Sequence, residues 1–407
     1  MKNVVIIGAG ASGIVASIYA RKMKNNVIII EKNEICGKKL LATGNGRCNY
    51  WNDDQCIEHY RTKNIQELKE ILSTQNKKEI LNFFKRIGIE PKIKNGYYYP
   101  FSNQAVSMQR ALVTEAIKIG VKIENNSEVL DIVRENGKFK VVLKEKKEIF
   151  GDKIIISTGS MAAPKTGSDG WGYKICKKFN HSVIKPLPAL VQLKTEGNFL
   201  KQWEGIRTDV SLELYENGKN IARENGELQL TNYGISGICV FNLSGRIARG
   251  IEDGKNEMVK INFLDGLKIK SKDEFFKWMD TRDENIQGRT ISELLDGILN
   301  YKLVKLLLNL SGIKNEDSWG KIDFKLKNKI AKNIIEFELN VIGTNSYDKA
   351  QVCTGGIPLS EIKTNTMESK KVDGMYITGE LLDVDGDCGG YNLEWAWVTG
   401  MVAGKGI

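Results

Sequence analysis

Histidine and proline are the residue types this sequence nearly does without. Only His59 and His181 occur among 407 residues, alongside 6 prolines. Two histidines leave no material for a histidine-rich metal site and little for a Ser-His-Asp or Cys-His relay. No metal is therefore expected, neither histidine stands out as a general base, and no catalytic acid or base is identified. The 7 cysteines are odd in number and contain no C-x-x-C pair, which argues against a disulfide framework, a zinc ribbon and a dithiol reductase. No Pro/Ser linker, low-complexity tract or solenoid repeat is present. No apolar run reaches about 18 residues, and the chain enters a strand at once without a signal-peptide pattern. A reduced, cytoplasmic setting without membrane contact is expected.

What is present is ordinary globular material, 41% hydrophobic and 27% charged. At about 150 residues per domain the length suggests two or three domains. The net charge of +10 gives a basic surface that could attract anions. The lysines nevertheless fall in mixed-sign stretches such as Lys144 to Lys147 and Lys268 to Lys277. No nucleic-acid partner is expected, and a small-molecule substrate is. The oligomeric state is not legible.

The densest signal is at the N-terminus. Val4 to Ile7 is a fully apolar run, as in a buried parallel strand. Gly8, Gly10 and Gly13 follow as G-x-G-x-x-G, for a tight turn, close approach of a pyrophosphate and close helix packing. A helix from about Ser12 to Met23 directs its free N–H groups, with Ala11 and Ser12 at its start, towards a phosphate. Val27 to Ile30 reads as the second strand. Glu31 and Lys32 end it, Glu31 eighteen residues after Gly13, where its carboxylate can accept bonds from ribose hydroxyls. Strand, turn, helix, strand and acid in order mark a dinucleotide site; the motif alone does not separate FAD from NAD.

Two further segments suit the same ligand. Residues 37–49, GKKLLATGNGRCN, are too polar and glycine-rich for a strand or helix. Gly44, Asn45 and Gly46 bring backbone close to a ligand, and Lys39 or Arg47 could neutralise a pyrophosphate. Residues 128–159 read as a three-stranded meander, Val129 to Val133, Phe139 to Leu143 and Lys153 to Ser157, with Asn136-Gly137 as a hairpin turn. The last strand runs into Thr158-Gly159. Near the C-terminus, Met375 to Thr378 reads as a strand closed by Gly379-Glu380. Asp383, Asp385 and Asp387 follow, and a helix begins near Tyr391 after Gly389-Gly390. A carboxylate here can bind a ribityl chain, and the helix N-terminus would favour an anionic ring. The acid triplet fails the spacing of a calcium loop. Tyr97 to Tyr99, Trp395 and Trp397 read mainly as core, and Cys388 as a small structural cysteine.

Together these segments resemble the HI0933-like group of bacterial flavoproteins, which includes aminoacetone oxidases and a flavoprotein of the bile-acid pathway. The resemblance spans nearly the whole chain through IIGAGASG at 6–13, LLATGNGRCN at 40–49, TGSMAAPKTGSDGWGY at 158–173, LPALVQL at 187–193, TNYGISG at 231–237, AQVCTGGIPLSEI at 350–362 and TGELLDVDGDCGGYNLEWAW at 378–397. It implies an α/β fold: a Rossmann-like FAD-binding domain formed by both chain ends (1–187 and 341–407), an inserted β-rich, barrel-like domain (188–265 plus about 327–340) and an inserted helical domain (266–326). It implies that Gly8, Gly10, Ser12, Gly13 and Glu31 hold the AMP half of FAD. Val129 would meet adenine through its backbone. Asn45, Gly46, Arg47 and Cys48 would hold the middle or the flavin side. Gly379, Glu380, Asp387, Gly390, Tyr391, Asn392 and Leu393 would surround the ribityl chain and ring. Two departures, SMAAPKTG and a cysteine at 388 where threonine is common, bear on the flavin pocket and leave the substrate open.

An FAD-dependent oxidoreductase is expected, since the flavin carries the redox chemistry and the protein orients it. With one G-x-G-x-x-G and no second dinucleotide domain, NADH or NADPH would visit only transiently to reduce the flavin for an unsaturated organic substrate. The alternative is an oxidase or dehydrogenase of a small amine; a non-catalytic flavin- or RNA-binding protein is a remote third.

Overall fold

The run Val4–Ile7 lies where an all-apolar strand belongs, in the middle of a parallel sheet. A computed structural model describes all residues 1–407 and divides them into two compact units, Met1–Leu187 with Ala350–Ile407, and Pro188–Lys349. In the first unit, β1 (Asn3–Ile7) pairs in parallel with β2 (Asn26–Ile30) on one side. The strand β4 (Lys153–Ile156) flanks it on the other. β3 (Lys122–Glu124) edges the sheet beside β2, and the strand Met375–Ile377 edges it beside β4. Both chain ends thus build one sheet and share one hydrophobic core.

Helix α1 (Ala11–Lys22) connects β1 to β2. The C-terminal helix Tyr391–Lys405 packs on it with almost no side-chain spacer. A Cβ on Gly400 would stand 2.5 Å from the Ser12 carbonyl oxygen, and one on Gly404 2.5 Å from that of Ala16. Glycine at four-residue spacing lets the two backbones touch, which any larger residue would prevent. Trp395 and Trp397 are buried, as expected, and their Nε1–H groups donate to the Gly379 and Tyr50 carbonyls, each at 3.1 Å.

The meander differs from expectation in its third strand. Val129–Glu135 and Lys138–Leu143 form the hairpin, turning at Asn136-Gly137 with both residues at positive φ. The third strand is Glu148–Gly151, while Lys153–Ile156 leaves for the parallel sheet. The reason lies in the pattern: Ile154–Ile156 is apolar on both faces and needs cover on both, which a half-exposed meander cannot give.

The second unit is a closed six-stranded barrel with helices. Its order is Leu193–Thr195, Gly234–Ser236, Lys219–Thr231, Arg207–Glu216, Glu257–Asn262 and Phe337–Thr344, closing onto the first strand. Asn217-Gly218 turns the long hairpin, but Asn225-Gly226 does not punctuate it. Gly226 stays extended and paired with Val210, because the partner strand continues past it. Residues 341–344 complete the last barrel strand, so the chain returns to the first unit at Ala350 rather than at 341. The helices Lys272–Asn285, Ile291–Leu295, Tyr301–Ser311 and Phe324–Ile335 share one hydrophobic cluster with the barrel, so no packing boundary separates residues 266–326 from it. Capping boxes at Ser271/Glu274 and Thr290/Glu293 fix where the first two begin. No helix is long and apolar enough to cross a membrane.

Candidate cofactor site

The turns that leave the C-terminal ends of the parallel strands converge, which is where an open α/β sheet binds its ligand. At the first turn Gly8 has φ 97°, and a Cβ there would press 2.7 Å from the Ser157 carbonyl oxygen. A Cβ on Gly13 would lie 2.1 Å from the Gly8 oxygen, so only glycine lets α1 pack on the strand. Gly10 is different: its Cβ would meet nothing nearer than Ser157 oxygen at 3.8 Å. The protein has room for a side chain there, so the glycine answers to what approaches from outside. The N–H groups of Ala11, Ser12 and Gly13 open α1 without acceptors inside it and set partial positive charge at this spot.

Glu31 is buried at the rim, 7% exposed. Its Oε2 accepts the Ala9 N–H at 2.7 Å and its Oε1 the Asn33 N–H at 2.8 Å. The carboxylate is thereby fixed in place with lone pairs left for ribose hydroxyls. The strand carrying Val129 is brought close because Ser127 N–H donates to the Glu31 carbonyl at 2.9 Å. Thr158 and Gly159 follow β4 on the same side, with Thr158 Oγ1 buried and without a hydrogen-bond partner. Lys32 points elsewhere, since its ammonium pairs with Asp169 at 2.7 Å.

Lys39 and Glu380, separated by 341 positions, meet at 2.6 Å, and Ser160 Oγ donates to the same carboxylate at 2.9 Å. In the loop between them Gly44, Asn45, Gly46 and Cys48 all have positive φ, between 55° and 79°. Arg47 is exposed, donates to the Gly44 carbonyl at 3.2 Å and lies 5.5 Å over the Tyr99 ring. Cys48 is fully buried, and burial pushes its thiol up to about 12, so it is an inert packing group. Asn49 Oδ1 and Trp51 Nε1, just beyond, are buried without a partner.

Beside this loop lies the start of the C-terminal helix. A Cβ on Gly390 would come within 3.0 Å of the Trp51 backbone, and one on Gly389 within 3.0 Å of Tyr97. A Cβ on Gly379 would lie 2.6 Å from Ser12 Oγ. Asn392 does not offer its side chain to a ligand. Its amide accepts from Gly386 N–H at 2.8 Å and donates to the Gly386 carbonyl at 2.8 Å. What the helix presents is the backbone N–H groups of Tyr391, Asn392 and Leu393. Asp387 is likewise engaged, bonded to Arg61 and to His59 Nδ1, the latter at 2.9 Å. His59 Nε2 reaches Asp54 at 3.0 Å, and the ring stacks on Tyr391 at 4.5 Å. Burial lowers the His59 pKa, but Asp387 and Asp54 outweigh it and hold the ring above its ordinary value. Asp385, 1% exposed, sits 3.7 Å from Arg61 and is pushed up to about 6 by burial. Glu394 is pushed up to about 7 by burial and accepts from Tyr60 Oη at 3.0 Å.

Arg61 and Trp51 carry no sequence signal of their own, because only the fold brings them to the motifs, whereas Asn49 and Ser160 lie inside the quoted motifs 40–49 and 158–173. His181 forms a chain with Glu361 at 2.7 Å and Ser369 at 2.8 Å that has the connectivity of a hydrolytic relay. Ser369 is 0% exposed and its Oγ accepts the N–H groups of Lys371 and Val372, so the chain braces a turn.

The residues fit a bound flavin dinucleotide on two grounds. The polar atoms of Asn49 and Trp51, beside Gly390, and of Thr158, beside Gly8, are buried without partners, and such atoms are normally satisfied. Gly10 leaves open a space that the protein itself does not need.

Comparison with known proteins bears on the same residues. The HI0933-like protein Rossmann domain family matches residues 2–406. A 3-dehydro-bile acid delta(4,6)-reductase of Clostridium scindens is 37% identical over 407 residues, covering 100% of this chain and 98% of that protein. Ribosomal RNA dihydrouridine synthases of Escherichia coli and Haemophilus influenzae are each 28% identical, covering 100% and 99% of this chain and 98% of their own. With its dinucleotide cradle built from both chain ends, this chain belongs to the HI0933-like family of Rossmann-fold, FAD-dependent oxidoreductases.

Proposed function

We propose that this chain reduces a carbon–carbon double bond conjugated to a carbonyl, with NADH or NADPH as electron donor. The observation that carries the reading is the 37% identity, end to end, with a protein named for reducing such a bond in a 3-oxo bile acid. Bound FAD supplies the hydride. The protein's part is to hold that cofactor: the ribose on Glu31, the phosphates on the start of α1, the flavin edge on the N–H groups of Tyr391 to Leu393. The roles of Gly44 to Gly46, Gly379 and Glu380 along the middle of the cofactor belong to the same proposal. So does the Lys39 ammonium, which neutralises charge between them.

Two substrate classes share this chemistry. A steroid-like dienone follows from the bile-acid relative. A uridine base in RNA follows from the two relatives named for making dihydrouridine, in which the double bond beside a uracil carbonyl is saturated. Although the lysines elsewhere fall in mixed-sign stretches, from which no nucleic-acid partner is expected, half of the net charge of +10 lies between residues 301 and 332, and that favours the second, because a polyanionic substrate gains from a basic surface and a bile acid far less.

The test is an anaerobic titration of the purified holoenzyme with NADH and NADPH, followed by the flavin absorption band. The reduced enzyme is then offered a 3-oxo-4,6-diene bile acid and a ribosomal RNA fragment. Bleaching by a nicotinamide, then product heavier by two hydrogens, is the expected result. A flavin that ignores both nucleotides but is bleached by a small primary amine and restored by oxygen would overturn the reading in favour of an amine oxidase.

A further inference from the structure

Half of the net charge of +10 lies in one stretch of the second unit. Residues 301–332 hold eight lysines and no arginine against Glu316, Asp317 and Asp323. The helix Tyr301–Ser311 sorts them by its period: Leu303, Val304 and Leu307 face the core, while Lys302, Lys305 and Asn309 face out. Together with Lys314, Asn315 and Gln202 they line an open cleft of about 560 Å³, in which Glu316 is the one acid. The ammonium groups of Lys302 and Lys314 meet no carboxylate. By contrast, Lys332 on the next helix pairs with Glu338 at 2.8 Å. Lys305 lies 5.0 Å over the ring of Tyr301, which is 57% exposed and leaves an aromatic face at the same helix end.

Unpaired cations and neutral amide donors in one cleft, with an exposed aromatic at the start of the helix that lines it, are what a nucleic-acid strand uses: phosphates on the cations, a base on the ring. We propose that this cleft docks the substrate RNA by its phosphate backbone. The proposal rests on the RNA reading of the preceding section and adds where on this chain the strand is held. A bile acid, with one charge and no phosphate, would have no use for it.

The experiment measures anisotropy of a fluorescein-labelled ribosomal RNA fragment on the full-length holoenzyme between about 50 and 200 mM salt, roughly the range over which counterion release is steep. The variant Lys302→Glu/Lys305→Glu/Lys314→Glu is compared with Lys24→Glu/Lys78→Glu/Lys118→Glu, which makes the same charge change at separated, exposed lysines of the first unit. The cleft variant should bind about thirtyfold more weakly, and its log–log salt slope should fall by about 2, from roughly 0.7 per lost contact on a single strand. The flavin spectrum and reduction of free uridine or a dienone should not change. Tyr301→Ala should weaken binding about tenfold with the slope unchanged.

Equal losses in both triple variants, or none in the cleft variant, would overturn the proposal. Complete displacement of the RNA by micromolar uridine monophosphate would replace it with a mononucleotide site. Wild-type enzyme that reduces the dienone but binds no RNA would overturn both the RNA reading and the docking site, leaving the reductase reading intact. Cleft-dependent RNA binding without any reduction would uphold the docking site and overturn the reductase.

Discussion

In the first unit, the buried polar atoms without protein partners include those of Asn49 and Trp51, next to Gly390, of Thr158, next to Gly8, and of the Asp385 carboxylate. In the second unit, those of Thr195, Thr231, Glu257 and Asp296 are dispersed over barrel strands and a helix connection. Each such atom costs about 1–3 kcal/mol unless something bonds to it. Where they cluster around a glycine-lined cradle, one ligand can repay all of them. Where they are scattered, none can, and each is a local cost that the barrel's core must cover. The same class of defect therefore means a binding site in one unit and a stability burden in the other.

The sharpest way to break this comparison is Gly10→Val. A Cβ at this position meets nothing nearer than the Ser157 carbonyl oxygen at 3.8 Å, so the apo protein should keep its circular dichroism and melting temperature. FAD affinity should fall about a hundredfold, because the branched side chain fills the cradle. Unchanged FAD binding in a fluorescence titration would show that the cradle holds something else.

Next in size is Gly404→Leu, which forces α1 and the C-terminal helix apart. Overpacking at a 2.5 Å contact should cost about 3 kcal/mol, or roughly 8 °C in calorimetry of the first unit's transition.

In the second unit the corresponding probe is Glu257→Gln. Burial, with Glu216 nearby, pushes the Glu257 carboxyl up from 4.5 to about 7. The folded state thus holds a proton that the unfolded state releases. The stability this gives is present in full below pH 4.5 and is lost as pH rises through 7. Glutamine cannot ionise, so the variant should melt a few degrees above wild type at pH 8 and level with it at pH 5. Equal melting temperatures at both would show that Glu257 is not the titrating group.

The smallest effect is expected from Lys39→Met. Its pair with Glu380 is about three-quarters buried, and losing the cation beside the pyrophosphate should weaken FAD by about tenfold without altering the spectrum of the bound form.

The two units also differ in how much of them could be read beforehand. The β1–α1–β2 element with Glu31 follows from contiguous residues, since a turn, a helix start and a strand-end acid all act within 31 positions. Periodicity tells an apolar strand from a polar one but not which sheet receives it, so Lys153–Ile156 reads as the third strand of the meander and lies in the parallel sheet. The Lys39–Glu380 pair and the Asp387–Arg61–His59 cluster were legible only in part. Each partner carries its own signal, yet the distance that joins them is set by the whole fold. In the barrel, Asn225-Gly226 has the composition of a turn and lies inside a strand, because ten paired residues of the neighbouring strand outweigh a local preference.

The glycine seam between α1 and the last helix has a consequence for how the enzyme is made. The phosphate-binding turn is synthesised long before Gly400 and Gly404, which mate with its helix. Until those residues emerge, α1 has one face uncovered and the Tyr391 to Leu393 N–H groups do not exist to receive a flavin. If these residues hold the flavin, its capture waits until the helix Tyr391–Lys405 has been made.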